Sequence, residues 1–266
     1  MKIYILDNGV IEIDSNRMVA MNTCATAKDK SPVHNWIQIP VYAVLIVHPQ
    51  ARILYDTGCH PEAMKGRWPA NLTMISPYYY HENQRIENQL KIAGYKPRDI
   101  DIVVLSHMHL DHAGNLGLFT HADVYVQGDD FSHGLISVHQ NPDTATHGLY
   151  VKADLEVPCR FIVVENDFEL VPGVEILNLP GHTPGLLGLM AHLKYSGSMI
   201  FPMDALYQEA NYGPPARSAG TLYDSLSFFK SIEKIRKLAK KHNAKVMYSH
   251  DMEFYKTLKL APAYYD

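Results

Sequence analysis

Short apolar runs recur along the chain at strand length, punctuated by Gly, Pro, Asn and Asp. They occupy residues 2–6, 41–47, 52–55, 102–105, 124–126, 161–164, 174–177, 199–201 and 245–248. Val, Ile and Tyr dominate them, and these side chains fit a pleated, buried surface, so each run is predicted as a strand. Two segments keep a period of three to four residues instead. Residues 83–93 are followed by Gly94 and Pro97, the punctuation of a helix end. Residues 225–241 place Leu226, Phe229, Ile232, Ile235 and Leu238 on one side, with Lys230, Glu233, Lys234 and Lys237 opposite. Asp224 or Ser225 is the expected cap, and the lysines read as a solvated helix face.

Residues 20–40 and 57–80 lack either period and are expected to be long loops. Such loops inside a compact domain are more often binding elements than accidents. A polar, His-rich stretch at 127–158 is expected to mix short helices with loop. No repeat, low-complexity tract or separating linker breaks the chain. Residues 1–266 are therefore expected to form a single domain with loop insertions near 20–40 and 57–80.

The 266 residues are 47% hydrophobic and 20% charged, a globular composition that excludes a disordered chain. A net charge of −4 argues against a partner such as nucleic acid or an anionic membrane. The longest apolar run, 41–47, falls far short of the ~20 residues a spanning helix needs. Cys24, Cys59 and Cys159 form no CxxC pair, so neither a disulfide framework nor a thiolate zinc site is expected. Asp7 interrupts the N-terminal apolar run before a signal-peptide core can form. Together these features predict a cytoplasmic protein.

The densest chemistry lies in residues 101–115, DIVVLSHMHLDHAGN. An apolar strand runs directly into His107, His109, Asp111 and His112. Burying three imidazoles and a carboxylate is costly unless something pairs with them. Their nitrogen and oxygen donors suit Zn²⁺ and similar divalent ions. Three further apolar runs end in donors: His182 within Gly181-His182-Thr183-Pro184-Gly185, Asp204 after residues 199–203, and His250 after residues 245–249. Strands of one fold can bring such ends to a common rim.

His107-Met108-His109-Leu110-Asp111-His112 resembles the HxHxDH signature of the metallo-β-lactamase superfamily. His182, Asp204 and His250 follow in the order of its remaining ligand motifs. Asp56-Thr57-Gly58 is similar to its early Asp-Thr-Gly turn. The resemblance covers almost the whole chain. It implies an α/β fold, a four-layer αβ/βα sandwich of two mixed β-sheets with helices outside. It also implies two divalent metal ions as cofactors. One would be held by His107, His109 and His182, and the other by Asp111, His112 and His250. Asp204 and a hydroxide would bridge them, and Asp56 would orient a ligand.

Within the superfamily the chain looks most like the quorum-quenching N-acyl homoserine lactonases, through Asp204-Ala205-Leu206-Tyr207, Gly213-Pro214-Pro215 and Ser249-His250-Asp251. A 4-pyridoxolactonase is also similar over residues 247–256. The implied activity is opening of a lactone ring by the bridging hydroxide, with an N-acyl homoserine lactone as substrate and another small lactone or ester, such as 4-pyridoxolactone, as the alternative. Tyr207 would hydrogen-bond the developing oxyanion, and Asp111 or Asp204 would pass a proton to the leaving oxygen. Zn²⁺ suits the donors, while Mn²⁺, Fe²⁺ and Co²⁺ compete by availability. The lactonase likeness also implies a homodimer. Met18, Met21, Trp36, Trp68 and Tyr78 to Tyr80 are candidates for an acyl-chain pocket.

Other readings fit less well. A thioesterase resembling glyoxalase II would carry an added C-terminal helical domain. A flavodiiron oxidoreductase would replace one of the first two histidines with a carboxylate. A Ser nucleophile would need a GxSxG elbow, which the chain lacks.

Overall fold

The computed structural model describes residues 1–266 and contains twelve strands in two sheets. The first sheet is built from β1 (Lys2–Asp14), β2 (Trp36–Val47), β3 (Arg52–Tyr55), β4 (Tyr78–Tyr79), β5 (Ile102–Val104), β6 (Asp123–Gln127) and β7 (Arg160–Val164). Its order is β4-β1-β2-β3-β5-β6-β7. The second sheet comprises β8 (Phe168–Val171), β9 (Val174–Asn178), β10 (Leu187–Leu193), β11 (Gly197–Phe201) and β12 (Lys245–Val246), in the order β12-β11-β10-β9-β8. Both sheets are mixed. Strands β3, β5, β6 and β7 run parallel, as do β11 and β12, while the remaining pairs are antiparallel.

The sheets bury their facing sides against each other. Ile3, Ile5, Val44, Ile46, Ile53 and Val104 from the first meet Ile176, Leu187, Leu189, Met199 and Phe201 from the second. Tyr55 ties the layers by donating its hydroxyl to the carbonyl of Leu187 at 2.6 Å. The outer face of the first sheet packs Leu45, Leu54, Val103 and Val124 against Ile86 and Leu90 of the helix Ile86–Ile92 and Val138 of the helix Gly128–Gln140. The outer face of the second packs Leu177, Met190 and Ile200 against Phe228, Ile232 and Ile235 of the helix Ser225–His242. Asp224 caps that helix, accepting from the backbone N–H groups of Leu226 and Ser227. The result is the four-layer αβ/βα sandwich. No helix is long and apolar enough to cross a membrane.

Several expectations need correction. Strand β2 begins at Trp36, so the last part of the expected 20–40 loop is strand. Pro40 lies inside it, opposite the point where the β1 register shifts between Asp7 and Val10; a bulge is where a strand tolerates a residue without an N–H. Strand β1 continues to Asp14, well beyond residue 6. Residues 57–80 contain two short helical segments, Ala63–Lys65 and Ala70–Ile75, and strand β4. Strands β8 and β10 lie outside the predicted runs, and β12 is only two residues long.

Candidate active site

Topology brings the donors to one rim. Strands β3 and β5 are parallel neighbours, so Asp56 and Ser106 leave them side by side. Ser106 donates its backbone N–H to Asp56 Oδ1 at 2.6 Å and its hydroxyl to Oδ2 at 2.8 Å. Asp56 itself sits at φ 61°, a left-handed conformation. In the second sheet β9 and β11 both run antiparallel to β10, and β12 runs parallel to β11. His182, Asp204 and His250 therefore emerge from the same end.

The donor atoms converge into two adjacent groups. In the first, His182 Nε2 lies 3.2 Å from His107 Nε2 and 2.9 Å from His109 Nδ1, and those two lie 3.0 Å apart. The second joins Asp111, His112, Asp204 and His250. Asp204 faces both groups. Its Oδ1 is 3.1 Å from His250 Nε2 and 3.4 Å from His112 Nε2, while Oδ2 is 3.4 Å from His182 Nε2 and 3.8 Å from His107 Nε2. All seven side chains are buried.

The ring nitrogens that point away from the cluster are held by a surrounding set of acceptors. His112 Nδ1 is 2.8 Å from Asp56 Oδ2, His107 Nδ1 is 3.0 Å from Ser106 Oγ, and His250 Nδ1 is 2.9 Å from the Pro40 carbonyl. His182 Nδ1 lies 2.7 Å from the Tyr207 hydroxyl, which in turn is 3.2 Å from the Thr221 carbonyl. Such outer partners fix each ring's tautomer and leave the inward nitrogen free to bind a cation.

The arrangement fits divalent cations. His112 Nε2 and Asp204 Oδ1 are buried without a hydrogen-bond partner, a costly state unless something else binds them. Burial pushes His107 and His109 far below the usual imidazole range, and their neighbouring imidazoles add to it. They are therefore neutral, the form that ligates. Burial also pulls on His112 and His250, but the carboxylates of Asp204 and Asp111 outweigh it and hold both rings above that range.

Two residues behind the site escaped the sequence reading. Asp130, buried on the helix Gly128–Gln140, accepts from the Met108 backbone N–H at 2.8 Å and from the Tyr150 hydroxyl at 2.7 Å. Burial pushes its carboxyl up to about 7. Tyr150 packs edge-on against His109, ring centroids 4.7 Å apart. Together they brace the loop that carries His107 and His109. A lone Asp and a lone Tyr carry no sequence pattern that would mark them.

Of the candidates for an acyl-chain pocket, Met18 alone lines the small cavity against the donors, with Ile11, Ile13, Ile39 and Leu110. Trp68 and Tyr78 are core residues packed against each other, Tyr78 to Tyr80 border a separate cavity, and Met21 and Trp36 are exposed.

Gly181 precedes His182 at φ 139°, and a Cβ there would lie 2.4 Å from the backbone N and Cα of Phe228. Gly181→Ala is expected to cost about 3 kcal/mol through strain and forced movement of the 225–242 helix. The urea midpoint would read this, and an unchanged midpoint would refute the close-packing argument.

Comparison with known proteins agrees with the geometry. The family model described as the metallo-beta-lactamase superfamily matches residues 36–250. The N-acyl homoserine lactonase AiiB of Agrobacterium fabrum is 36% identical over 271 residues, covering 97% of this chain and 96% of its own. The N-acyl homoserine lactonase AiiA of Bacillus thuringiensis subsp. kurstaki is 31% identical, covering 86% of this chain and 88% of its own. A solved N-acyl homoserine lactone hydrolase, with N-hexanoyl-L-homoserine bound at its catalytic metal centre, superposes with a TM-score of 0.84. It shares 28% identity and covers 99% of this chain and 98% of its own.

Proposed function

The chain belongs to the metallo-β-lactamase superfamily, and from that membership we propose that it is a dinuclear-metal lactonase acting on N-acyl homoserine lactones. The observation that carries the reading is the pair of buried donor groups joined by one carboxylate, Asp204. His107, His109 and His182 would hold one divalent ion, and Asp111, His112 and His250 the other, with Asp204 between them. Zn²⁺ suits these donors, with Mn²⁺, Fe²⁺ and Co²⁺ as competitors. Ions bound there would supply Lewis acidity and bring the pKa of water toward neutrality.

The remaining work falls to the chain's own side chains. Asp111 turns Oδ2 toward His112 and His250, and Asp111 or Asp204 would pass a proton to the leaving oxygen of the ring. Tyr207, buried beside His182, would turn its hydroxyl to a lactone carbonyl, and burial keeps that phenol protonated. To donate to substrate it must release the Thr221 carbonyl at 3.2 Å. The apolar wall of Ile11, Ile13, Ile39 and Leu110 keeps water from the reacting carbonyl. The same reading takes residues 1–266 as a single domain. A reducing, cytoplasmic setting is consistent with three free cysteines, one of them exposed.

The test is proton release from a homoserine-lactone series, followed with a pH indicator at low buffer, using enzyme verified to hold two metals. A kcat/KM above about 10⁴ M⁻¹s⁻¹ is expected. No turnover by two-metal enzyme would overturn the substrate assignment. Tyr207→Phe should keep its metals at saturating Zn²⁺ and lose about a hundredfold in kcat, because one donor to the oxyanion disappears. An unchanged kcat would remove Tyr207 from the chemistry.

A further inference from the structure

Arg17 is the one lysine or arginine that lines the cavity over the donor cluster, where its neighbours in the wall are Ile11, Ile13, Ile39 and Leu110. The opening on the other flank, over His109 and His182, has none. The Arg17 guanidinium is also free. Arg52, Arg67, Arg85, Arg160 and Arg236 each pair with an acid of the chain, and no carboxylate pairs with Arg17. Asp14, the acid nearest to it in sequence, is turned to cap the helix Ser15–Met18. One Asp14 oxygen accepts both the backbone N–H and the side-chain N–H of Asn16, at 2.8 and 2.9 Å. A half-buried arginine without an acid beside it is unusual in a chain with a net charge of −4.

The backbone of Arg17 is fixed to the site. Its carbonyl accepts from the N–H groups of Gly220 and Thr221 at 3.0 and 3.1 Å. Gly220 sits so close that a Cβ there would lie 1.8 Å from the Asn16 carbonyl oxygen. The Thr221 carbonyl is in turn 3.2 Å from both His182 Nδ1 and the Tyr207 hydroxyl. One strap of backbone therefore joins Arg17 to a donor of the metal centre and to the phenol assigned to the reacting carbonyl. The cation is held where the chemistry takes place.

Lactone hydrolysis changes the charge at that place. Hydroxide adds to the carbonyl carbon, and the bond from that carbon to the ring oxygen breaks. The ring oxygen takes a proton and becomes an alcohol, and the carbonyl carbon is left as a carboxylate. A neutral lactone offers a guanidinium only a weak ester acceptor, whereas a carboxylate offers two charge-assisted hydrogen bonds. We propose that Arg17 is a product-binding residue, whose guanidinium takes up the carboxylate that ring opening creates and makes the enzyme sensitive to inhibition by its own product. The inference rests on the lactonase reading and adds a control by product to it.

Calorimetric titration of ring-opened N-hexanoyl homoserine into the two-metal enzyme, beside initial rates on the corresponding lactone, tests this. Arg17→Gln should raise the product Kd about tenfold, the size expected for hydrogen bonds to a charged group, while the lactone KM moves by less than about twofold. Arg17→Lys keeps the charge without the planar fork, so it should recover part of the product affinity. Both substitutions retain the backbone carbonyl that holds Gly220 and Thr221. A disturbed strap would instead raise the product Kd and the lactone KM together. That parallel change, or a product Kd unmoved in Arg17→Gln, would overturn the inference and spare the lactonase reading. Failure of the two-metal wild type to open any homoserine lactone would overturn both.

Discussion

Asp204→Ala will leave the site unable to retain both metals and will take lactone hydrolysis down by about a thousandfold or more. The carboxylate is the only side chain whose two oxygens face both donor groups, Oδ1 toward His250 and His112 and Oδ2 toward His182 and His107. Its removal also uncovers His112 and His250, whose rings it helps hold above the ordinary imidazole range. About 4 kcal/mol of lost transition-state stabilisation corresponds to that thousandfold, a modest share of what a metal centre supplies. Elemental analysis after desalting and initial rates on the same preparation check it. A variant with two metals per chain and wild-type rates would dismiss the bridging role. Asp204→Asn separates charge from shape: it keeps one acceptor oxygen, so it should retain more metal than the alanine variant and still lose most of the rate.

The donor set was legible because each ligand follows an apolar run, and a strand's end is a place the fold can repeat. HxHxDH after β5, Gly-His after β9, Asp204 after β11 and His250 after β12 all obey this. The supporting acceptors obey no such rule. The Pro40 carbonyl that holds His250 is 210 residues away in sequence, and the Thr221 carbonyl near His182 belongs to an irregular segment. A backbone carbonyl has no residue-type signature, so only the folded chain reveals it. Strand β10 was hidden for a related reason. LGLMAHL is buried nearly throughout, so it shows no alternation, and the Pro184-Gly185 before it reads as loop. Pro40 lies within β2, where the bulge in β1 accommodates it. His133 and His147 carry no sequence pattern that marks their settings. His147 is buried against the Asn141 carbonyl at 2.7 Å, and His133 packs edge-on against Tyr150.

Chelation of the metals is expected to lower the thermal midpoint by about 10 °C, and Zn²⁺ should restore it. An ion that binds only the folded chain, present at about a thousand times its Kd, contributes about 4 kcal/mol. A chain of this size moves by roughly 2–4 °C per kcal/mol, which gives the expected shift. Its pH dependence has a defined sign. Without metal, His112 and His250 titrate above the usual imidazole value because Asp204 and Asp111 face them, after burial has opposed it. Protonated rings paired with those acids stabilise the metal-free fold fully below the unfolded imidazole pKa of about 6.5. That contribution is lost as pH rises through the folded values. Metal needs the same rings deprotonated, so its contribution grows over the same interval. The chelator-induced drop should therefore be larger at pH 8 than at pH 6. Scanning calorimetry at both values, with and without chelator, checks it. An equal drop at both pH values would mean that His112 and His250 give up no proton to the metal. Asp204→Ala should blunt the drop at either pH, which ties the stability of the fold to the same carboxylate that joins the two donor groups.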